Sequence, residues 1–139
     1  MRRAAAACLL AAVAAAGCGG HGRPHEVRAT LFAPRSCRVE VFFETRMVTG
    51  REVTRGEIAA VRERLAASKR IRTFAFVSKR LALKRMAQRH PELVPGMPYN
   101  PLPAAYEIVP WSATDAKRLE AELRGVDGVE HVSAARACK

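Results

Sequence analysis

Thr54-Arg-Gly-Glu57-Ile58-Ala-Ala-Val61-Arg-Glu-Arg-Leu65, running on to Ile71-Arg-Thr-Phe74-Ala-Phe76-Val77, is the stretch that decides the fold. A hydroxyl residue with a carboxylate three positions later satisfies the orphan amides of a first helical turn, and the carboxylate opposes the positive end of the helix dipole. Ile58, Val61 and Leu65 then share one helical face, and the β-branched and aromatic residues beyond them read as a strand. The same chemistry returns once at a constant offset. Ser112 and Asp115 stand where Thr54 and Glu57 stood, Leu119 and Leu123 where Val61 and Leu65 stood, and Val129 and Val132 where Ile71 and Phe74 stood. The chain therefore repeats a capped helix that feeds a strand.

Working outward, Arg38 to Glu44 alternates, with Val39, Val41 and Phe43 on one face, which predicts a first, half-buried strand. Thr45 to Val53 reads as a loop around Gly50. Lys79 to His90 reads as a helix with Leu83, Met86, Ala87 and His90 on one side, stopped by Pro91. Glu92 to Pro103 has too many prolines for a regular element, yet its Leu93, Val94, Met97, Tyr99 and Leu102 are apolar enough to pack. Ala105 to Val109 makes a third strand, Ala113 to Leu123 the second repeat helix, and Asp127-Gly128 a turn into a last strand from Val129. The order predicts an α+β, split βαβ (ferredoxin-like) domain. Two helices cover one face of a four-stranded antiparallel sheet, and a helical lobe at about residues 79–103 is inserted between strands two and three.

With 139 residues and 49% hydrophobic content, the chain has material for a single core. Lys and Arg number 24 against 13 acids, a formal charge of +11. That excess fits anionic partners such as acidic wall polymers or lipid head groups, and equally a merely basic solvated surface. Arg2-Arg3 and the apolar run from Ala4 to Ala16 have the form of a secretory leader, too short for the roughly 20 residues that span a bilayer. The leader, residues 1–17, ends Ala15-Ala-Gly17-Cys18, which resembles a bacterial lipobox with Ala15 in place of the usual Leu. Lipidation of Cys18 would anchor the protein to the membrane; ordinary cleavage near Gly17 would leave it secreted. Residues 18–36 read as a flexible tether and 37–139 as the folded domain. His21 and His25 have no third ligand nearby, so no metal is expected.

In the predicted topology the first and last strands are antiparallel neighbours, which brings Cys37 opposite Cys138. Outside the cytoplasm the two are expected to pair, closing a loop of about 100 residues worth roughly 4–5 kcal/mol in the chain-entropy model. The alternative is two free thiols.

Val39-Glu-Val-Phe-Phe43, Phe76-Val-Ser78-Lys79-Arg-Leu-Ala-Leu83, Asn100-Pro101-Leu102-Pro103-Ala-Ala-Tyr-Glu-Ile108 and Gly128-Val-Glu-His-Val132 together resemble the extracellular domain of FtsX, the permease-like bacterial cell-division protein. The resemblance spans residues 38–135, and Asn100-Pro-Leu-Pro103 before an alternating strand is its most specific part. It implies a domain outside the membrane whose inserted lobe grips a peptidoglycan hydrolase or its adaptor. In this chain Leu83, Met86, Leu93, Met97 and Tyr99 are the residues expected to do so. Two departures matter. The family's transmembrane helices are not in this sequence, so coupling to a cytoplasmic ATPase through its own backbone is not expected. In the lobe helix the family's Ser-Lys-Glu-Glu-Ala-Leu becomes Ser78-Lys79-Arg80-Leu81-Ala82-Leu83, which removes the carboxylate half of a capping box.

Arg72-Thr-Phe74-Ala-Phe76-Val77 also resembles the aromatic strand motif of RNA-recognition domains. It lies on the second rather than the third strand, Thr73 replaces Gly, and Phe74 matches core Val132 in the repeat. Nucleic acid is not an expected partner. No nucleophile with base and orienter and no paired acids emerge, so neither an enzyme nor a cofactor is expected. Two functions remain: a membrane-anchored module that binds a protein, or a basic surface that holds acidic wall polymers or anionic lipids.

Overall fold

The computed structural model describes residues 22–30 and 37–134. In chain order its elements are β1 (His25–Glu26), β2 (Val39–Phe43), α1 (Arg46–Thr49), α2 (Arg55–Ala67), β3 (Ile71–Val77), α3 (Lys79–Arg89), β4 (Ala105–Pro110), α4 (Ala113–Leu123) and β5 (Val129–Ala134), with a 3-10 turn at Pro91–Leu93. The fold is mixed α+β, built on one five-stranded sheet in the order β1-β3-β4-β2-β5. β2 pairs antiparallel with β4 and β5, and β3 antiparallel with β4.

The expectation of four strands is corrected by β1, which pairs parallel with β3 at the edge, His25 opposite Thr73 and Glu26 opposite Phe74. It lies inside the stretch read as a flexible tether. Two residues of strand carry no period of their own; tertiary pairing with β3 makes them a strand. The leader at residues 1–17, Cys18, His21 and Cys138 lie outside the described residues.

The two copies of the repeat fold alike. Thr54 caps α2, its hydroxyl accepting from the Glu57 amide at 3.2 Å while the Glu57 carboxylate accepts from the Thr54 amide at 2.7 Å. Ser112 caps α4, its hydroxyl accepting from the Asp115 amide at 3.1 Å. Val61 and Leu65 from α2, and Ala116, Leu119 and Leu123 from α4, enter one core with Val39, Val41, Phe43, Phe74, Ile108 and Val132. Burying such side chains contributes about 1.5–3 kcal/mol each.

Tyr106 of β4 is the centre of that core, with Phe43, Phe74 and Phe76 at ring-centroid distances of 5.8, 5.9 and 5.2 Å. Burial, reinforced by the Glu26 carboxylate, pushes its phenol up to about 12. Phe74 is 2% exposed, so its ring offers no face on which a base could stack.

Gly128 joins the two repeats. Its φ of +80° is left-handed, and a Cβ there would lie 2.8 Å from Glu57 Cβ and 3.0 Å from Val53 Cγ2. Only glycine allows the turn before β5 to approach the start of α2 so closely.

Candidate functional site

The inserted lobe begins where β3 ends. Ser78 starts α3 by accepting from the Leu81 amide at 3.2 Å, and no acid stands in the first turn, so only half of a capping box forms. Asn100 ties the proline-rich return to this helix start. Its side-chain amide donates to the Lys79 carbonyl at 2.6 Å, and its side-chain oxygen accepts from the Leu102 amide at 3.0 Å. Lys79 in turn reaches Glu52 at 2.7 Å, pinning the α1 loop to the lobe. Hydrogen bonding by Lys79 is the main reason the Glu52 carboxyl lies below its usual range. Ser78, Lys79 and Asn100 thus form a polar knot at the lobe's root.

Around that knot lies an apolar rim. Tyr99 is 59% exposed and lines a groove with Met47, Asn100 and Pro101; Met47 is 60% exposed and Val48 beside it 66%. Leu93 and Met97 are exposed further along the lobe. Aromatic rings and unbranched Met are side chains that protein partners bury well. The five residues singled out from sequence do not form one patch. Leu93, Met97 and Tyr99 face solvent, Leu83 is half-buried, and Met86 lines a separate cleft. Met47 and Val48 were not among them because they sit in a stretch without a period. The one signal was an adjacent apolar pair, Met47-Val48, in an otherwise polar loop.

That separate cleft, about 290 Å³, lies between the lobe and the sheet face opposite α2 and α4, with Arg38, Phe42, Met86, Leu102, Pro103 and Glu107 among its walls. Arg85, on the inner face of α3, holds Glu107 of β4 through two bonds of 2.7 and 3.1 Å. Arg38 stands 3.5 Å from the same carboxylate and 3.6 Å from Glu40. The inner face of the lobe helix therefore carries a paired charge, Arg85, beside the apolar Ala82 and Met86. Its outer side carries Arg80 and Lys84, both exposed. Among the described residues, no helix is long and apolar enough to cross a membrane, and no three His, Cys, Asp or Glu side chains converge on a metal-sized site.

The family model of the FtsX extracellular domain matches residues 36–138. Among solved structures, the crystal structure of extracellular domain 1 of FtsX from S. pneumoniae in complex with undecyl-maltoside is similar over 76% of this chain and 98% of that one, at 19% identity and a TM-score of 0.57. The solution structure of the large extracellular loop of FtsX in Streptococcus pneumoniae is similar over 70% and 97%, at 14% identity and a TM-score of 0.50. No curated protein matches the chain significantly.

Proposed function

The chain belongs to the FtsX extracellular domain family, and on that premise we propose that it is a non-catalytic extracytoplasmic module of cell division that grips a protein partner, a peptidoglycan hydrolase or its adaptor. The observation that carries this reading is the exposed pair Met47 and Tyr99, which line a groove whose backbone is locked by Asn100 and Lys79, with exposed Val48 next to Met47 in the chain. A preorganised apolar rim loses little entropy when a partner covers it. Leu93 and Met97 extend the exposed apolar surface along the lobe, while Leu83 is half-buried and Met86 lines the separate cleft.

The test is capture of a purified hydrolase of the same cell by the immobilised domain. Met47→Asp with Tyr99→Asp is expected to abolish capture while leaving the melting temperature unchanged, because both side chains are exposed. Undiminished capture would refute the reading. A second reading, binding to acidic wall polymers or anionic head groups, is favoured by the exposed Arg80, Lys84 and Arg89 of α3. Salt separates the two: polyanion binding collapses as ionic strength rises, whereas an apolar grip survives.

Membrane attachment through lipidated Cys18 is the expected tether, and Cys18→Ala is expected to move the protein from the membrane to the soluble fraction. A disulfide between Cys37 and Cys138 is supported by the register of the sheet, in which Val39, two residues after Cys37, stands opposite Ala134, four residues before Cys138 in sequence. The pairings of β2 to β5 support a split βαβ core to which β1 is added as a further strand.

A further inference from the structure

Residues 22–30 lie along the domain as a strap. β1 pairs with β3, the Val27 amide donates to the Phe74 carbonyl at 2.8 Å, and the Glu26 carboxylate accepts from Arg62 Nε of α2 at 2.5 Å. Beyond Val27 the chain turns over the sheet face on the lobe side, where Val27, Ala29 and Thr30 share a cleft with Ala75, Glu107 and Val109. It arrives at Arg85. The Arg85 Nε donates to the Thr30 carbonyl at 2.8 Å and Nη2 donates to the same oxygen, while Nη1 and Nη2 hold Glu107.

Arg85 is 9% exposed, and all three of its nitrogens are used. One side faces the strap and another the central strand β4, with the side chain itself rooted in the lobe helix. We infer that docking of the strap and closure of α3 onto the sheet are one linked equilibrium, joined through the Arg85 guanidinium. Removing the Thr30 carbonyl leaves buried N–H donors without an acceptor. That is costly unless water enters or the helix lifts. The coupling is reciprocal: whatever lifts the lobe loosens the strap, and whatever peels the strap away frees the lobe. A planar fork suits this role, since a lysine ammonium cannot hold a carbonyl and both carboxylate oxygens in the same geometry. The inference does not depend on which partner the lobe grips.

Hydrogen exchange on the full chain tests it. Val27→Pro removes the amide that bonds the Phe74 carbonyl, at a position whose cleft includes no lobe residue. Exchange across residues 79–90 is expected to accelerate about 5- to 10-fold, the lower part of the usual range for coupled sites, with α2 and α4 unchanged. No change in residues 79–90 would overturn the inference. So would an equal acceleration in all three helices, which would mean general loss of stability. In the opposite direction, Arg85→Lys is expected to speed exchange of the Val27 amide, and a folded variant with unaltered Val27 exchange would also overturn it. If Arg85→Lys does not fold, Val27→Pro decides alone.

Discussion

Replacing Gly128 by Ala tests the close approach that joins the two repeats. Two terms add. A non-glycine residue at the φ of +80° costs about 1–2 kcal/mol. The new Cβ would lie 2.8 Å from Glu57 Cβ and 3.0 Å from Val53 Cγ2. Glu57 Cβ is fixed to the backbone of α2, so it cannot swing away; the helix start or the turn must retreat, at about 1–3 kcal/mol. The sum is about 2–5 kcal/mol. Gly125 supplies the control, because it has the same φ of +80° with nothing within 4 Å of its would-be Cβ, so Gly125→Ala pays only the backbone term of about 1–2 kcal/mol. Urea unfolding followed by circular dichroism measures both. In the melting temperature, each 1 kcal/mol is worth about 4–8 °C for a domain of this size. Equal losses for the two variants would refute the claim that the turn before β5 packs on the start of α2.

The same helix start makes stability depend on acid. The Arg51 guanidinium, then the amide and hydroxyl of Thr54, hold the Glu57 carboxyl down at about 2 from its ordinary 4.5. A carboxyl depressed in the folded state stabilises fully above its unfolded value and loses that contribution as pH falls from about 4.5 through about 2. Glu57→Gln is expected to flatten the fall in melting temperature across that window; an unaltered acid limb would contradict it. For the cysteines, alkylation of the unfolded protein without reductant is expected to leave Cys37 and Cys138 unlabelled. Replacing both by Ala is expected to lower stability by up to about 5 kcal/mol; labelling of both would contradict the pairing.

Much of the fold was legible in the sequence because it rests on local signals. Thr54 with Glu57 and Ser112 with Asp115 announce helix starts by chemistry confined to one turn, and the alternation of Val39, Val41 and Phe43 states its own buried face. What escaped depends on tertiary partners. β1 is a strand only because β3 lies beside it. Arg85 reads as one more cation on a polar helix, yet it turns inward because Glu107 and the Thr30 carbonyl are there to meet it. Of the α3 face expected from sequence, Leu83, Met86 and Ala87 are half-buried and His90 is exposed, while Arg85 is the residue that α3 buries most deeply. Of the candidate surface, Tyr99, Met97 and Leu93 could be found as apolar residues among prolines. Met47 could not, since its place beside Tyr99 comes from a loop held by the Lys79–Glu52 ion pair, and exposed Val48 follows it in that loop.

The central claim, that the rim around Tyr99 meets a protein of the wall-remodelling machinery, is tested most directly by photo-crosslinking in intact cells from a reactive residue placed at Tyr99. An adduct containing a peptidoglycan hydrolase or its adaptor, and no such adduct from a probe at Lys117 on the exposed side of α4, is the predicted result. Adducts only to lipid or wall polymer, or the same proteins from both positions, would contradict it.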